Sequence, residues 1–160
     1  MLRLKKFLRS KYMFYFGAFI ALALDQIIKL LVRRNVNVGE SISIVRDFIY
    51  ITPHRNPGAA LGIFAGHRWF LTFLTLAIVM IVIYVVKKGN NRLLRIGGAL
   101  FIGGALGNVL DRIYFGQVFD FLNVRIINYH IFNTADVELI FGVGIIVLVT
   151  SLRDTKGKHL

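Results

Sequence analysis

Cysteine is absent from this 160-residue chain, which excludes disulfide frameworks, thiolate metal sites and cysteine nucleophiles. Acids are scarce, with 8 Asp and Glu against 20 Lys and Arg, and only two prolines and one tryptophan occur. The four histidines, His54, His67, His130 and His159, are scattered and form no H-E-x-x-H spacing, so no metal site is expected. The chain holds no G-x-S-x-G, no P-loop and no G-x-G-x-x-G following a strand. A serine elbow and nucleotide use therefore lack a carrier, and no cofactor is called for. Solenoid repeats and low-complexity linkers are missing as well.

What is present is mostly apolar. Hydrophobic residues make up 56% of the chain and charged residues 18%, whereas soluble domains average about 45–50% and about 25%. That balance excludes an ordinary soluble monomer. A spanning helix needs about 20 mostly apolar residues, and four runs qualify, at about 12–32, 69–86, 93–111 and 136–152. The second carries no charge; the fourth is short and needs a thin bilayer or flanking anchors. The length fits a single domain. Residues 1–160 are accordingly read as one integral membrane domain, an all-α core with a small β portion carried in the segments at about 33–68 and 112–135.

Orientation follows from the basic residues. Twelve sit in the N-terminal segment, the KKGNNR hairpin region and the C-terminal segment, while the two long segments hold only seven: Arg33, Arg34, Arg46, Arg55, Arg68, Arg112 and Arg125. Both termini are expected in the cytoplasm and the long segments outside. Topology thus accounts for the basic charge, and no nucleic-acid partner is expected. The first run opens like a secretory signal, with Ala21-Leu22-Ala23 as a cleavage site. Its apolar residues continue through Ile27, Ile28, Leu30, Leu31 and Val32, so it is read as a retained helix.

In the outer segments SISIVRDFIYIT reads as one or two short strands with Asp47 at a turn, and QVFDFLNVRIINYHIF has the same β-rich character. Together they suggest a small platform on the outer membrane surface.

Seven of the eight acids fall in the outer segments or the outer portions of the runs. Asp25 lies about 20 Å along the first helix from Tyr12, Asp111 ends the third run and Asp136 begins the fourth. Three acids from three helices converge on one layer, and charge at membrane depth marks a functional-site hypothesis. Other roles compete. Asp25 and Lys29, spaced i,i+4, can neutralise each other. Asn108 and Asp111, spaced i,i+3 beside Arg112, suit a supporting network. Asn133 and Asp136 repeat that spacing, and Asn133 or Thr134 can cap the fourth helix. Asp120, between Phe119 and Phe121, is a candidate for desolvation.

Two close carboxylates in a partly desolvated site share one proton. One serves as general base on water while the other polarises a scissile carbonyl and then protonates the leaving amine. Asp136 is the first choice for one of the pair; Asp120 and Asp111 both remain open for the other. A Ser/Lys dyad would have to pair Lys29 with Ser41 or Ser43. Arg55–Gly62 reads either as a turn into the second helix or as a stretch whose small residues, Gly58 and Ala59 among them, admit an extended peptide held by the Asn56 amide. Gly103 and Gly107 form a G-x-x-x-G suited to close helix packing. A proton- or ion-coupled relay through Asp25, Lys29, Asp111 and Asp136 competes as a function, but it needs acids at several depths, and here they collect at one face. A purely structural subunit needs no paired acids.

The ordered blocks DQIIK (25–29), RNPGAALG (55–62), GGALGNVLDR (103–112), VFDF (118–121) and FNTAD (132–136) resemble lipoprotein signal peptidase, or signal peptidase II. The resemblance runs from the first helix to the last. It implies an aspartic protease of the bacterial cytoplasmic membrane with four transmembrane helices, an extracytoplasmic β-cradle and a site facing the extracytoplasmic side. The implied substrates are prolipoproteins carrying diacylglyceryl on the lipobox cysteine, cleaved just before that cysteine. By motif, Asp120 and Asp136 resemble the family's catalytic dyad. Asp25, Asn56, Asn108, Asp111, Arg112, Asn133 and Ala135 fall on its other motif positions, implied to shape the site and hold substrate. Inhibition by globomycin-type antibiotics is implied too, and a monomer is expected. Val137 departs from the small hydroxyl residue common after the last aspartate.

Overall fold

The computed structural model describes residues 11–46, 48–59, 62–89, 91–125 and 130–157; Asp47 and the basic residues of 1–10 lie outside them. The chain runs α1 (Lys11–Asn35), β1 (Ile42–Val45), β2 (Ile49–Asn56), α2 (Arg68–Lys88), α3 (Arg92–Phe115), β3 (Val118–Val124) and α4 (Thr134–Gly157). All four helices are long and apolar enough to cross a membrane.

The helices outrun the apolar runs that announce them. α1 continues through Arg33, Arg34 and Asn35, and α3 goes one further turn, through Ile113, Tyr114 and Phe115. Helical backbone bonding does not stop where a side chain becomes polar; it stops at a cap. For α3 those caps are explicit. The Asn91 side chain accepts from Leu93 N (2.7 Å) and Leu94 N (3.3 Å), and Gly116 takes the left-handed conformation at φ 76° while its N–H bonds Arg112 O. Asp111 therefore sits a turn inside the helix rather than at its end.

α3 is the hub. Two thirds of its apolar window is buried, against less than a third for each of the other helices. Its glycines make this possible: a Cβ on Gly103 would meet Ala18 and Ala21 of α1, one on Gly104 would meet Ala135 of α4, and one on Gly97 would meet Ile145. Lipid offers apolar contacts as good as protein does, so close backbone approach of this kind carries helix association in a bilayer. Away from the sheet, Phe14, Val86, Leu94, Phe101 and Val149 fill the core.

The three strands form one antiparallel sheet in the order β1-β2-β3. β2 passes through Pro53 to Asn56, four residues beyond the strand-like tract seen in the sequence. The register shifts between Ile51 and His54, so the residue without an N–H falls at an irregularity where no ladder bond is needed. Past it, His54 lies opposite Asp120 and Asn56 opposite Val118. Phe132 adds a single bridge to Leu122 on the far side of β3. By connectivity the sheet lies where α1 and α3 finish and α2 and α4 begin, at the end that gathers the acids.

Candidate active site

On α1, Asp25, Lys29 and Arg33 follow one another at four-residue spacing, which places them on one helical face. Each bonds a different part of the site. Asp25 Oδ1 accepts from Thr134 Oγ1 (2.5 Å) and Ala135 N (2.9 Å), anchoring the start of α4. Its other oxygen accepts from Gln26 Nε2 (3.0 Å) and pairs with Lys29 Nζ at 2.9 Å. Lys29, fully buried, also pairs with Asp111 Oδ2 (2.9 Å) and donates to Asn108 Oδ1 (3.1 Å), so its three protons each meet an oxygen. Arg33 Nη2 completes Asp111 at 2.8 Å, and its guanidinium lies 4.2 and 4.6 Å from the Phe115 and Phe119 ring centres.

The buried Asp120 and the half-buried Asp136 meet through one asparagine. Asn133 sits just before α4 and its side-chain oxygen accepts from Asp136 N (3.0 Å), while Asp136 Oδ2 accepts from Asn133 N (3.1 Å). This is a reciprocal cap of the helix. The Asn133 Nδ2 group then reaches Asp120 Oδ1 (2.6 Å) and Asn108 Oδ1 (3.1 Å). Asn108 Nδ2 donates to Asp136 Oδ1 (2.9 Å), and Asn56 Nδ2 to Asp120 Oδ2 (3.0 Å). Both carboxylates are thus oriented by amides on each oxygen. Burial pushes the Asp120 carboxyl up from its ordinary 3.8 to about 6; the Asp136 charge adds to the rise, and the Asn56 and Asn133 bonds and Lys29 oppose it.

Arg112 closes the floor. Expected from sequence beside Asn108 and Asp111 in one network, it donates to Asn108 O (3.4 Å) and to Gly58 O (3.0 Å), while Lys29 and Arg33 hold Asp111. Gly58 N donates to Asn56 Oδ1 (2.9 Å), and a Cβ on Gly58 would lie 2.7 Å from Ile63 O, so the turn admits only glycine there. Ala59 O accepts from Asn56 Nδ2 at 3.4 Å. The Asn56 amide is therefore committed to its own loop and to Asp120. Asp120 and Asp136 line a cleft of about 1160 Å³ between the sheet and α4, polar on the strand side with His54, Asn56 and Asn123 and apolar on the helix side with Leu139 and Ile140.

All twelve residues singled out from the sequence fall in this one connected region. Asp25 and Lys29 do form the expected pair, and Asn133 and Asp136 cap α4 while Asp136 lines the cleft, so for Asp136 the capping role and the site position coincide. Lys29 is held by Asp25, Asp111 and Asn108, whereas Ser41 bonds Thr52 and Arg125 in the sheet; no Ser/Lys dyad forms between them. Sequence reasoning missed Arg33, assigned only to topology, and offered Thr134 only as a helix cap, whereas its hydroxyl donates to Asp25. The signal for Arg33 was its place one step further along the Asp25–Lys29 face. Among the described residues no group of three or more His, Asp or Glu is arranged to hold a metal ion.

The family model for signal peptidase (SPase) II matches residues 17–152. The chain belongs to the signal peptidase II family. It is 40% identical over 150 residues to the lipoprotein signal peptidase of Bacillus subtilis (strain 168), covering 91% of this chain and 97% of that protein. Among solved structures, a bacterial membrane enzyme determined by the in meso method at 2.3 Å resolution superposes with a TM-score of 0.84 at 33% identity, covering 92% of each chain. A second, at 1.9 Å resolution, gives 0.79 at 33% identity over 88% of this chain and 93% of that one. As a member of the signal peptidase II family, the chain is a membrane enzyme of the aspartic-peptidase type that removes signal peptides from prolipoproteins.

Proposed function

We propose that Asp120 and Asp136 are the catalytic pair of this signal peptidase II and that it cleaves diacylglyceryl-modified prolipoproteins immediately before the lipidated cysteine. The observation that carries the reading is the convergence of these two carboxylates on one cleft, joined through Asn133. The raised Asp120 supports a pair that holds one proton near neutral pH. The ionised member takes a proton from water as it attacks the scissile carbonyl carbon. The protonated member donates to the carbonyl oxygen, and the tetrahedral intermediate collapses as the leaving nitrogen receives a proton. Because Asn56, Asn108 and Asn133 are fixed donors, little reorganisation is needed as charge moves between the oxygens.

In this reading the remaining residues act in two ways. Asp25, Lys29, Asp111 and Asn108 hold α1, α3 and the start of α4 together, with Ala135 N as the bond that seats α4. Arg112, Gly58 and Ala59 shape the loop that borders the cleft. The lipid requirement follows from the helices: a diacylglyceryl group anchored in the bilayer delivers the peptide at one depth, replacing orientation that a soluble protease must supply itself. The Lys/Arg bias supports a bacterial cytoplasmic-membrane location with both termini inside and the cleft facing the extracytoplasmic side. The protein works as a monomer, and globomycin-type antibiotics occupy the cleft against the aspartates.

Mass spectrometry of the products tests this. Purified protein is incubated with one prolipoprotein prepared with and without diacylglyceryl. Cleavage of the modified form alone, with the lipidated cysteine as the new N-terminus, is expected; equal cleavage of both forms would contradict the lipid-anchored reading.

A further inference from the structure

Arg33 is a charged residue on α1 that the reaction chemistry does not use, yet it touches the strand that carries Asp120 in two independent ways. Its guanidinium lies against the Phe119 ring at 4.6 Å, with Phe115 contributing a second ring at 4.2 Å. It also bonds Asp111 Oδ1 at 2.8 Å, and the other oxygen of that carboxylate accepts from Phe119 N at 3.2 Å. Both the ring and the amide of Phe119 are therefore tied to Arg33, directly or through one carboxylate. Successive strand residues face opposite sides. Phe119 and Phe121, with ring centres 6.1 Å apart, pack on one face of β3, and Asp120 between them points to the other.

We infer that Arg33 is a positioning residue for the peptidase reaction: by clamping Phe119 from ring and backbone, it fixes the rotation of β3 and so the direction in which Asp120 presents its carboxylate toward Asp136. The inference rests on the assignment of Asp120 to the catalytic pair. Its physical basis is that Asp136 is held by α4 and α3 whereas Asp120 is held by a strand, so the two carboxylates keep their relation only if the strand is tied to the helices. Apart from Asn133, which reaches Asp120 itself, the Asp111 bond to Phe119 N is the tie nearest the reacting group. Arginine suits this place and lysine does not, since only a planar guanidinium can lie flat on an aromatic ring while presenting N–H groups to a carboxylate at its edge. Arg33 is about a quarter exposed, and when it is replaced the buried Asp111 keeps its pairing with Lys29 at 2.9 Å.

The test compares Arg33→Gln, Arg33→Lys, Phe119→Leu and Arg33→Gln with Phe119→Leu in the full chain, all checked for unchanged melting of the helical bundle. Small misplacements of a reacting group lower rates by up to about 100-fold. A fall in kcat of about tenfold for Arg33→Gln with KM unchanged is expected. Arg33→Lys, which keeps the charge, recovers only part of the loss, and the double variant loses no more than the worse single one because both changes break one clamp. Amide exchange at Phe119 speeds up in Arg33→Gln. A folded Arg33→Gln protein with wild-type kcat overturns the proposal, whatever its exchange rate. So does a rise in KM alone that varies with the anionic lipid content of the vesicles, which would make Arg33 a headgroup contact. Asp120→Asn measured beside these separates the two failures: if it stays active the catalytic assignment is wrong, while inactivity of Asp120→Asn with an unaffected Arg33→Gln condemns the positioning role alone.

Discussion

Replacing Asp120 with asparagine should make the protein more stable at alkaline pH while abolishing its activity. The folded state raises this carboxyl from 3.8 to about 6, with burial as the main cause. Between these values the folded protein binds the proton more tightly than the unfolded chain does. Wild-type stability accordingly falls as pH rises from about 4 to about 6 and stays at the lower level above that. Two pKa units correspond to about 3 kcal/mol. Asparagine removes this penalty but has one acceptor where aspartate has two. It keeps the bond from Asn133 Nδ2 and turns a donor toward Asn56 Nδ2, giving up a hydrogen bond worth about 1 kcal/mol. Asp120→Asn is then about 2 kcal/mol more stable than wild type at pH 8, and no more stable at pH 4. Reversible unfolding in detergent at unit steps from pH 4 to pH 8 measures the difference directly. A difference that stays constant across this range would refute the reasoning, and one that grows in the opposite direction would mean the folded site favours the charge.

Three other changes probe the scaffold. Lys29→Met leaves Asp25 and Asp111 without their shared buried cation; it should destabilise by about 3–5 kcal/mol, with part restored when Asp25→Asn is added, and a loss under about 1 kcal/mol would show the ion triad to be unimportant. Gly107→Ala places a Cβ against the Asp25 carboxylate, which should lower the melting temperature and loosen α4 by displacing the Asp25 bonds to Thr134 and Ala135; an unchanged melting curve would contradict that contact. Asn91→Ala removes the α3 cap at the end of the bundle away from the cleft and should cost about 1 kcal/mol of stability with kcat untouched; a matching fall in kcat would mean the cleft depends on that distant end.

How far the sequence could be read depended on how local each signal was. The apolar runs announce α1 to α4 because a spanning segment must be apolar along its own length. Their ends are less visible, since α3 ends on the left-handed Gly116 and not on the charge at Asp111. The β-rich tract legible in the sequence ends at Thr52, just before Pro53, and only the register shift beside β3 shows how the strand passes that proline. In the site, Asp25 with Lys29 and Asn133 with Asp136 were legible as spacings on one element. The Arg33–Asp111–Phe119 link was not, because it joins three elements. Nor could spacing choose between Asp111 and Asp120. In the fold Lys29 and Arg33 occupy Asp111 while Asp120 faces the cleft, and the resemblance had already pointed to Asp120.

The central claim is that Asp120 and Asp136 perform the chemistry together, and single-turnover cleavage of a diacylglyceryl-modified prolipoprotein tests it most directly. Asp120→Asn and Asp136→Asn are each expected to bind substrate and to cut it at least about 1000-fold more slowly than wild type. If either folded variant cleaves within a few-fold of the wild-type rate, the pair is not the catalytic one.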